Sequence, residues 1–127
     1  MRPDSHEAYL ASVDSAVRPR LVAIQARVEA LLPQAQRCIG YSMPAFRTAP
    51  GGRIFFYFAA FKKHVGIYPP LRQDVALAEG LAESMAPYRG EKGNLSFAHT
   101  QPLPIELIGQ VALALHRQDA ARGPARR

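Results

Sequence analysis

The chain reads as a single α+β domain, an antiparallel β-sheet with helices packed mainly on one of its faces. Three observations predict this. The segment from Ile39 to Pro70 is a series of short apolar and aromatic runs punctuated by Pro and Gly, the pattern of a β-meander. Apolar residues at helical spacing flank it on both sides, around Leu21 to Leu32 and Ile105 to Leu115. With 127 residues, 48% of them hydrophobic, there is material for one core, since a domain of this size buries roughly two-thirds of its unfolded surface.

Asp4 with Glu7 three residues later resembles a capping box, and Tyr9, Leu10, Val13 and Val17 follow at helical spacing, so a first helix is expected from about Ser5 to Val17. Pro19 suits the first turn of a second helix, whose stripe of Leu21, Ile24, Val28, Leu31 and Leu32 is stopped by Pro33. Arg37 to Ser42 opens the sheet. Met43-Pro44 is read as a bend, because Pro44 lacks a donor and biases Met43 to extended geometry. A short strand from Phe46 to Ala49, the turn Pro50-Gly51-Gly52 and a central aromatic strand from Arg53 to Phe61 follow. Lys62-Lys63 marks the next reversal, and His64 to Tyr68 returns as a strand ended by Pro69-Pro70, with Val65 and Ile67 on one side and His64, Gly66 and Tyr68 on the other. Leu71 to Leu81 suits a helix with Val75, Ala78 and Leu81 inward, followed by an apolar piece around Met85. Gly90 and Gly93 bound a loop, Asn94 to Phe97 is an edge strand, and Pro102 and Pro104 introduce a last helix facing inward with Ile105, Ile108, Val111, Ala112 and Leu115.

Composition narrows the chemistry. Cys38 is the one cysteine, which excludes an internal disulfide and any CxxC pair and suits a reducing compartment. The start, with Asp4, Glu7 and Asp14, lacks the apolar stretch of a signal peptide, and no run approaches the roughly 18 apolar residues of a membrane span, so the expectation is a soluble, cytoplasmic protein. Of the net charge of +6, half comes from Arg117, Arg122, Arg126 and Arg127 against Asp119. The domain is therefore expected over residues 1–116, with 117–127 a basic, flexible tail.

No GxSxG, HExxH, GxGxxG or P-loop pattern occurs, and no two carboxylates are spaced for acid and base roles, which argues against an enzyme. His6, His99 and His116 lie in separate elements without metal-ligand spacing to one another or to Cys38. Cys38 reads as a buried, inert thiol. His64 follows two lysines at a strand start, within reach of Tyr41, Tyr57 or Tyr68, and suits either a polar ligand contact or a structural hydrogen bond. The charges from Arg37 to Arg72 are all basic: Arg37, Arg47, Arg53, Lys62, Lys63 and Arg72.

Several segments carry a resemblance. GYSMPAF (Gly40 to Phe46), YFAAFKKHVGIYP (Tyr57 to Pro69), KGNLSF (Lys92 to Phe97) and QPLPIELIGQVA (Gln101 to Ala112) resemble, in order and spacing over nearly the whole chain, the YdhG-like domain of unknown function (DUF1801). The resemblance implies a frataxin-like α/β sandwich; one family member is described as an intracellular iron chaperone, and the likeness to frataxin implies an acidic first helix as a weak iron-binding surface. Here that helix offers Asp4, Glu7 and Asp14, three and seven residues apart on one helical side. Family members often carry a Glu just before the segment matching Gly40 to Phe46, where this chain reads QAQRCIGY, with Arg37 and Cys38.

The functional expectation is a non-enzymatic binding domain whose sheet face or edge accepts a small anionic ligand or a protein partner. Tyr41, Met43 and Phe46 would supply apolar contact, Lys62 and Lys63 charge, and His64 and Tyr68 polar orientation. The alternatives are an iron chaperone using Asp4, Glu7 and Asp14, and unspecific nucleic-acid binding through Arg47, Arg53, Lys62, Lys63 and the C-terminal arginines. No resident cofactor is expected, and the sequence leaves the oligomeric state open.

Overall fold

The computed structural model of the protein describes residues 4–71, 79–90 and 93–121. Its elements are α1 (His6–Ser12), α2 (Arg18–Leu31), β1 (Gln36–Gly40), β2 (Met43–Arg47), β3 (Ile54–Ala60), β4 (His64–Tyr68), α3 (Leu81–Met85), a 3-10 turn (Ala86–Tyr88), β5 (Leu95–Ala98) and α4 (Ile105–Ala121). The strands form one antiparallel sheet in the order β1-β2-β3-β4-β5, and α1, α2 and α4 pack on one side of it, as the α+β reading expects. Most of the expected Leu71 to Leu81 helix, including Val75 and Ala78, lies outside the described residues, as do Arg72 and the last six residues.

Period-two alternation sends Phe46, Phe56, Phe58, Val65, Ile67, Leu95 and Phe97 to the helix-covered side, where they meet Leu21, Ile24 and Val28 of α2 and Ile108, Val111, Ala112 and Leu115 of α4. α2 and α4 touch where Gly109 sits: a Cβ there would come within 2.8 Å of Leu31 Cδ1, so a larger residue would make the Leu31 side chain shift. Arg27 and Glu106 pair across the same contact. Arg20 ties α2 to the end of β5 by donating to the Ala98 and Gln101 carbonyls, both at 3.0 Å.

α1 is shorter than the spacing predicts. Its N-cap is Ser5, whose hydroxyl accepts the Ala8 N–H at 3.0 Å, and Asp4 lies outside. It ends at Ser12 because Val13 is extended and the Arg18 guanidinium takes the Leu10 and Val13 carbonyls at 2.7 and 3.0 Å. Asp14 consequently falls in the loop, its carboxylate accepting the Ala16 N–H.

The first β-turn also differs. Gly40 pairs with Met43, so the reversal is Tyr41-Ser42, both with positive φ (51° and 62°), a two-residue hairpin of the I′ kind without its usual Asn or Gly. The expected bend at Met43-Pro44 is strand instead. Pro44 is tolerated because it faces Ile39 at a position where β1 needs no hydrogen bond, and pairing with β3 begins only at Ala45. Between Phe46 and Arg47 the β2–β3 register slips, leaving Phe55 as the extra residue of a bulge. That is why consecutive Phe55 and Phe56 are both buried, Phe55 against the His116 ring of α4.

α4 runs to Ala121, so residues 117–121 are helix rather than tail. The physical reason is Asp119, buried in the last turn, whose carboxylate accepts from Arg53 Nε at 2.9 Å while its carbonyl accepts from Arg53 Nη2 at 3.1 Å.

One buried polar group joins four elements. The His6 ring, 2% exposed, sits edge-on to Phe46 and Phe58. Its Nε2–H points at the carbonyls of Ala45 (2.9 Å) and Cys38 (3.2 Å), which leaves Nδ1 to accept from the Gln25 amide at 2.9 Å. Burial holds its pKa below the ordinary 6.5, aided by the nearby Arg37 and opposed by the carbonyl contacts and Glu7. Above α1, Arg37 donates to both oxygens of Glu29 (2.6 and 3.0 Å) and to Glu7 (3.0 Å), and this guanidinium holds the Glu29 carboxyl below the usual carboxylate range.

Two outcomes are expected. A histidine kept neutral by the fold binds fewer protons than in the unfolded chain, so stability is level above pH 6.5 and falls as pH drops from there through the lowered folded-state pKa. Urea denaturation between pH 7.5 and 5.0 checks this, with His6→Gln flat across the same window; the Glu29 contribution is lost only below its ordinary 4.5. Ser42→Gly, relieving a left-handed backbone at a cost in chain entropy, should stabilise the protein by about 0.5–1 kcal/mol in the same assay.

Candidate functional site

The other side of the sheet receives no described helix. Alternation and register put Cys38, Gly40, Met43, Ala45, Tyr57, Ala59, His64, Gly66 and Tyr68 on it. Small residues occupy its middle, and rings lie back over them. A Cβ at Gly66 would meet Tyr68 Oη at 2.8 Å and Phe61 Cε2 at 3.1 Å; one at Gly40 would meet Tyr57 Cε2 at 2.8 Å. The face thus seals itself with its own aromatic side chains, which explains why Ala45 and Ala59 are buried there.

The antiparallel register brings the Tyr41-Ser42 and Lys62-Lys63 turns to the same end of the sheet, since Met43 opens β2 and Ala60 closes β3. The second turn is held by Phe61 N–H donating to the His64 carbonyl at 2.7 Å, which leaves both lysines exposed at its tip. Beside them the Phe61 and His64 rings stack, 5.0 Å apart at 23°, and Tyr68 meets Phe61 edge-on at 6.5 Å. Near the β1–β2 turn Tyr41 lies 5.7 Å from Tyr57. Burial, then the neighbouring Tyr41 and Cys38, raises the Tyr57 phenol above its ordinary 10.0, so it remains a hydrogen-bond donor. Tyr41 is 86% exposed and Phe61 44%, making them the two most exposed aromatic residues described.

Of the seven expected site residues, Tyr41, Met43 and His64 therefore share the turn-bearing end of this face, Lys62 and Lys63 are exposed on the turn beside it, and Tyr68, at the far end of β4, leans its ring back over Gly66 toward Phe61 to share it. Phe46 does not. It is fully buried on the opposite side against His6, Phe56 and Phe58, because the turn precedes Met43 and the strand parity differs from that expected with a bend at Pro44. Its place is taken by Tyr57 and Phe61, visible in the sequence as part of an aromatic run but without a sign of their lean over Gly40 and Gly66. Cys38 is half-buried on the same face, more accessible than the expected inert thiol. Phe61 and Lys62 also border a cavity of about 430 Å³ behind the turn, with Tyr9, Ser12, Val13, Asp14, Val17 and His99.

The alternative sets are dispersed. Of Asp4, Glu7 and Asp14, only Glu7 lies on α1, where it pairs with Arg37. Among the described residues no three His, Cys, Asp or Glu side chains are grouped to hold a metal ion. Arg53 is engaged by Asp119 on the α4 side, and Arg47 reaches the Gly52 carbonyl at 3.4 Å, so these cations do not form a continuous track with Lys62 and Lys63. Among the described residues no helix is long and apolar enough to cross a membrane.

Gly66→Ala should push the Tyr68 and Phe61 rings off the sheet, costing about 1–2 kcal/mol as other overpacking changes do. Aromatic proton shifts of Tyr68, Phe61 and His64 that stay unchanged in the variant would contradict the ring arrangement.

No family model and no curated protein matches the chain. Among solved structures it is similar to a Bacillus subtilis protein of the DUF1801 family, YdhG, with a TM-score of 0.73 and 19% identity over 92% of each chain. The chain therefore has the fold of a DUF1801 protein along nearly its whole length, in agreement with the resemblance carried by Gly40–Phe46, Tyr57–Pro69, Lys92–Phe97 and Gln101–Ala112.

Proposed function

We propose that the protein is a non-enzymatic binding domain and that the turn-bearing end of its open sheet face accepts a small anionic ligand with a planar or apolar part. The observation that carries this reading is the Phe61–His64–Tyr68 ring cluster directly beside two exposed lysines. A ring of the ligand stacks on exposed Phe61 or Tyr41, while Lys62 and Lys63 attract its charge from the adjoining turn. The His64 imidazole and the Tyr68 hydroxyl supply directional hydrogen bonds. The non-enzymatic part of the reading is supported by the side chain near Cys38, the Tyr57 phenol, whose raised pKa keeps it protonated and so no base for the thiol.

Titrating the labelled protein with inorganic phosphate, then a nucleoside monophosphate, should shift amides from Phe61 to Tyr68 and around Tyr41, with the planar ligand binding more tightly. Lys62→Ala/Lys63→Ala should weaken that binding at least tenfold; unchanged affinity removes the reading. The competing iron role is tested in the same tube with ferrous iron under anaerobic conditions. Broadening confined to Asp4, Glu7 and Asp14, lost when they become Asn or Gln, would replace the anion reading. Binding of a mixed oligonucleotide that falls steeply with salt would favour nucleic acid instead.

A further inference from the structure

The sheet has two outer edges, and they are finished differently. Beside β5 the chain closes part of the edge itself, through a bridge between Arg89 and Leu95 and the Gly90 N–H donating to the Asn94 carbonyl at 2.8 Å. Beside β1 no described strand pairs. The two-residue turn makes Gly40 and Met43 a hydrogen-bonded pair, so Cys38 with Ala45 is the next bonded pair, and the N–H and C=O groups of Arg37 and Ile39 point outward. Edge strands are normally guarded by a charge, a proline or a bulge. The one charge on β1 is Arg37, and it is drawn back over the helix side by Glu29 and Glu7.

We propose that a second copy of this chain pairs with β1, antiparallel, about a two-fold axis passing at Cys38, joining two five-stranded sheets into one. This register alone pairs all of Gln36–Gly40 with its copy. It sets Arg37 opposite Ile39 of the other chain, so the outward groups of both exchange hydrogen bonds. An axis at Arg37 would oppose like charges, which is destabilising. An axis at Ile39 would draw Tyr41 into the pairing, where its φ of 51° cannot form strand. The axis at Cys38 makes the two Cys38 residues a non-hydrogen-bonded pair, with Cα atoms about 4.5 Å apart, within the range that a disulfide spans. The two open faces then run on as one surface, although the pairing does not depend on what that face binds.

The test is sedimentation of the full chain under reducing conditions as concentration rises, with hydrogen exchange on the same samples. The expected mass climbs from 14.0 kDa toward twice that value, and the Arg37 and Ile39 amides become protected as it does. Ile39→Pro removes an outward N–H that β2 does not use, and should remain at 14.0 kDa with an unchanged circular dichroism spectrum. Diamide, taking two electrons and two protons from the paired thiols, should link the wild-type dimer through Cys38. A monomer up to about 1 mM, a dimer whose Arg37 and Ile39 amides still exchange freely, or a dimer that diamide does not link would overturn the proposal. Protection of those amides only when a foreign strand-forming peptide is added would do the same. Failure of the anion titration with a dimer present would remove the ligand reading and leave this one standing.

Discussion

The rest of the structure depends on the neutral imidazole of His6. α1 has only seven residues, too few to be stable alone, and it is held to the sheet by this ring, lodged among Phe46 and Phe58 with its donor on the Cys38 and Ala45 carbonyls, and by the Tyr9 hydroxyl, which accepts the Ala60 N–H at 3.0 Å. Each nitrogen has one role: Nε2 donates a hydrogen bond to the strands, and Nδ1 accepts one from Gln25 of α2. A buried polar group satisfied on every side fixes relative positions, whereas the same group unpaired costs about 1–3 kcal/mol. The Glu7–Arg37–Glu29 cluster repeats the same connection at the surface, where solvent makes it weaker. Together they set the angle at which the helical layer meets β1 and β2, and hence which residues the open face is left to present.

That open face has been solved by close approach rather than by cover. Gly40 and Gly66 remove side chains where Tyr57, Tyr68 and Phe61 lie down, so the aromatic rings bury one another's neighbours while keeping an accessible edge. The result is a surface that is ordered without a partner and still offers ring faces and two lysines at one end. A binding surface of this kind is organised before its ligand arrives, which reduces the ordering cost of association.

Much of this was legible in the residues. β4 was readable to the residue, because Lys62-Lys63 and Pro69-Pro70 bound a strictly alternating segment. The α2 and α4 stripes were equally plain, while Asp4 misled about the cap of α1 and the spacing of Val13 and Val17 about its length. The errors have particular causes. Tyr41-Ser42 carries no glycine or asparagine to announce a positive-φ turn, so the reversal was read at Met43-Pro44 and Phe46 was assigned to the wrong face. The bulge at Phe55 has no local signal, since it is decided by where Arg47 pairs. His6 looked like an ordinary helical residue because its partners lie 32 and 39 positions away in the chain. Asp119 looked like part of a charged tail because its partner, Arg53, is 66 positions earlier.

The placement of α4 has a consequence for how the protein is made. It lies against α2 and β3, at the middle of the helical layer, yet it is the last of the described elements to be synthesised. Until residues 105–121 have emerged from the ribosome, the nascent chain can pair its strands and dock α2 but leaves the inner side of β3, with Phe55 and Phe56, open to water. Such a half-roofed sheet is the species most exposed to aggregation and to capture by chaperones. Completion is then abrupt: the insertion of Ile108, Val111 and Leu115 closes the core at the same moment that Asp119 finds Arg53, so the native state is reached only when translation has passed the final helix.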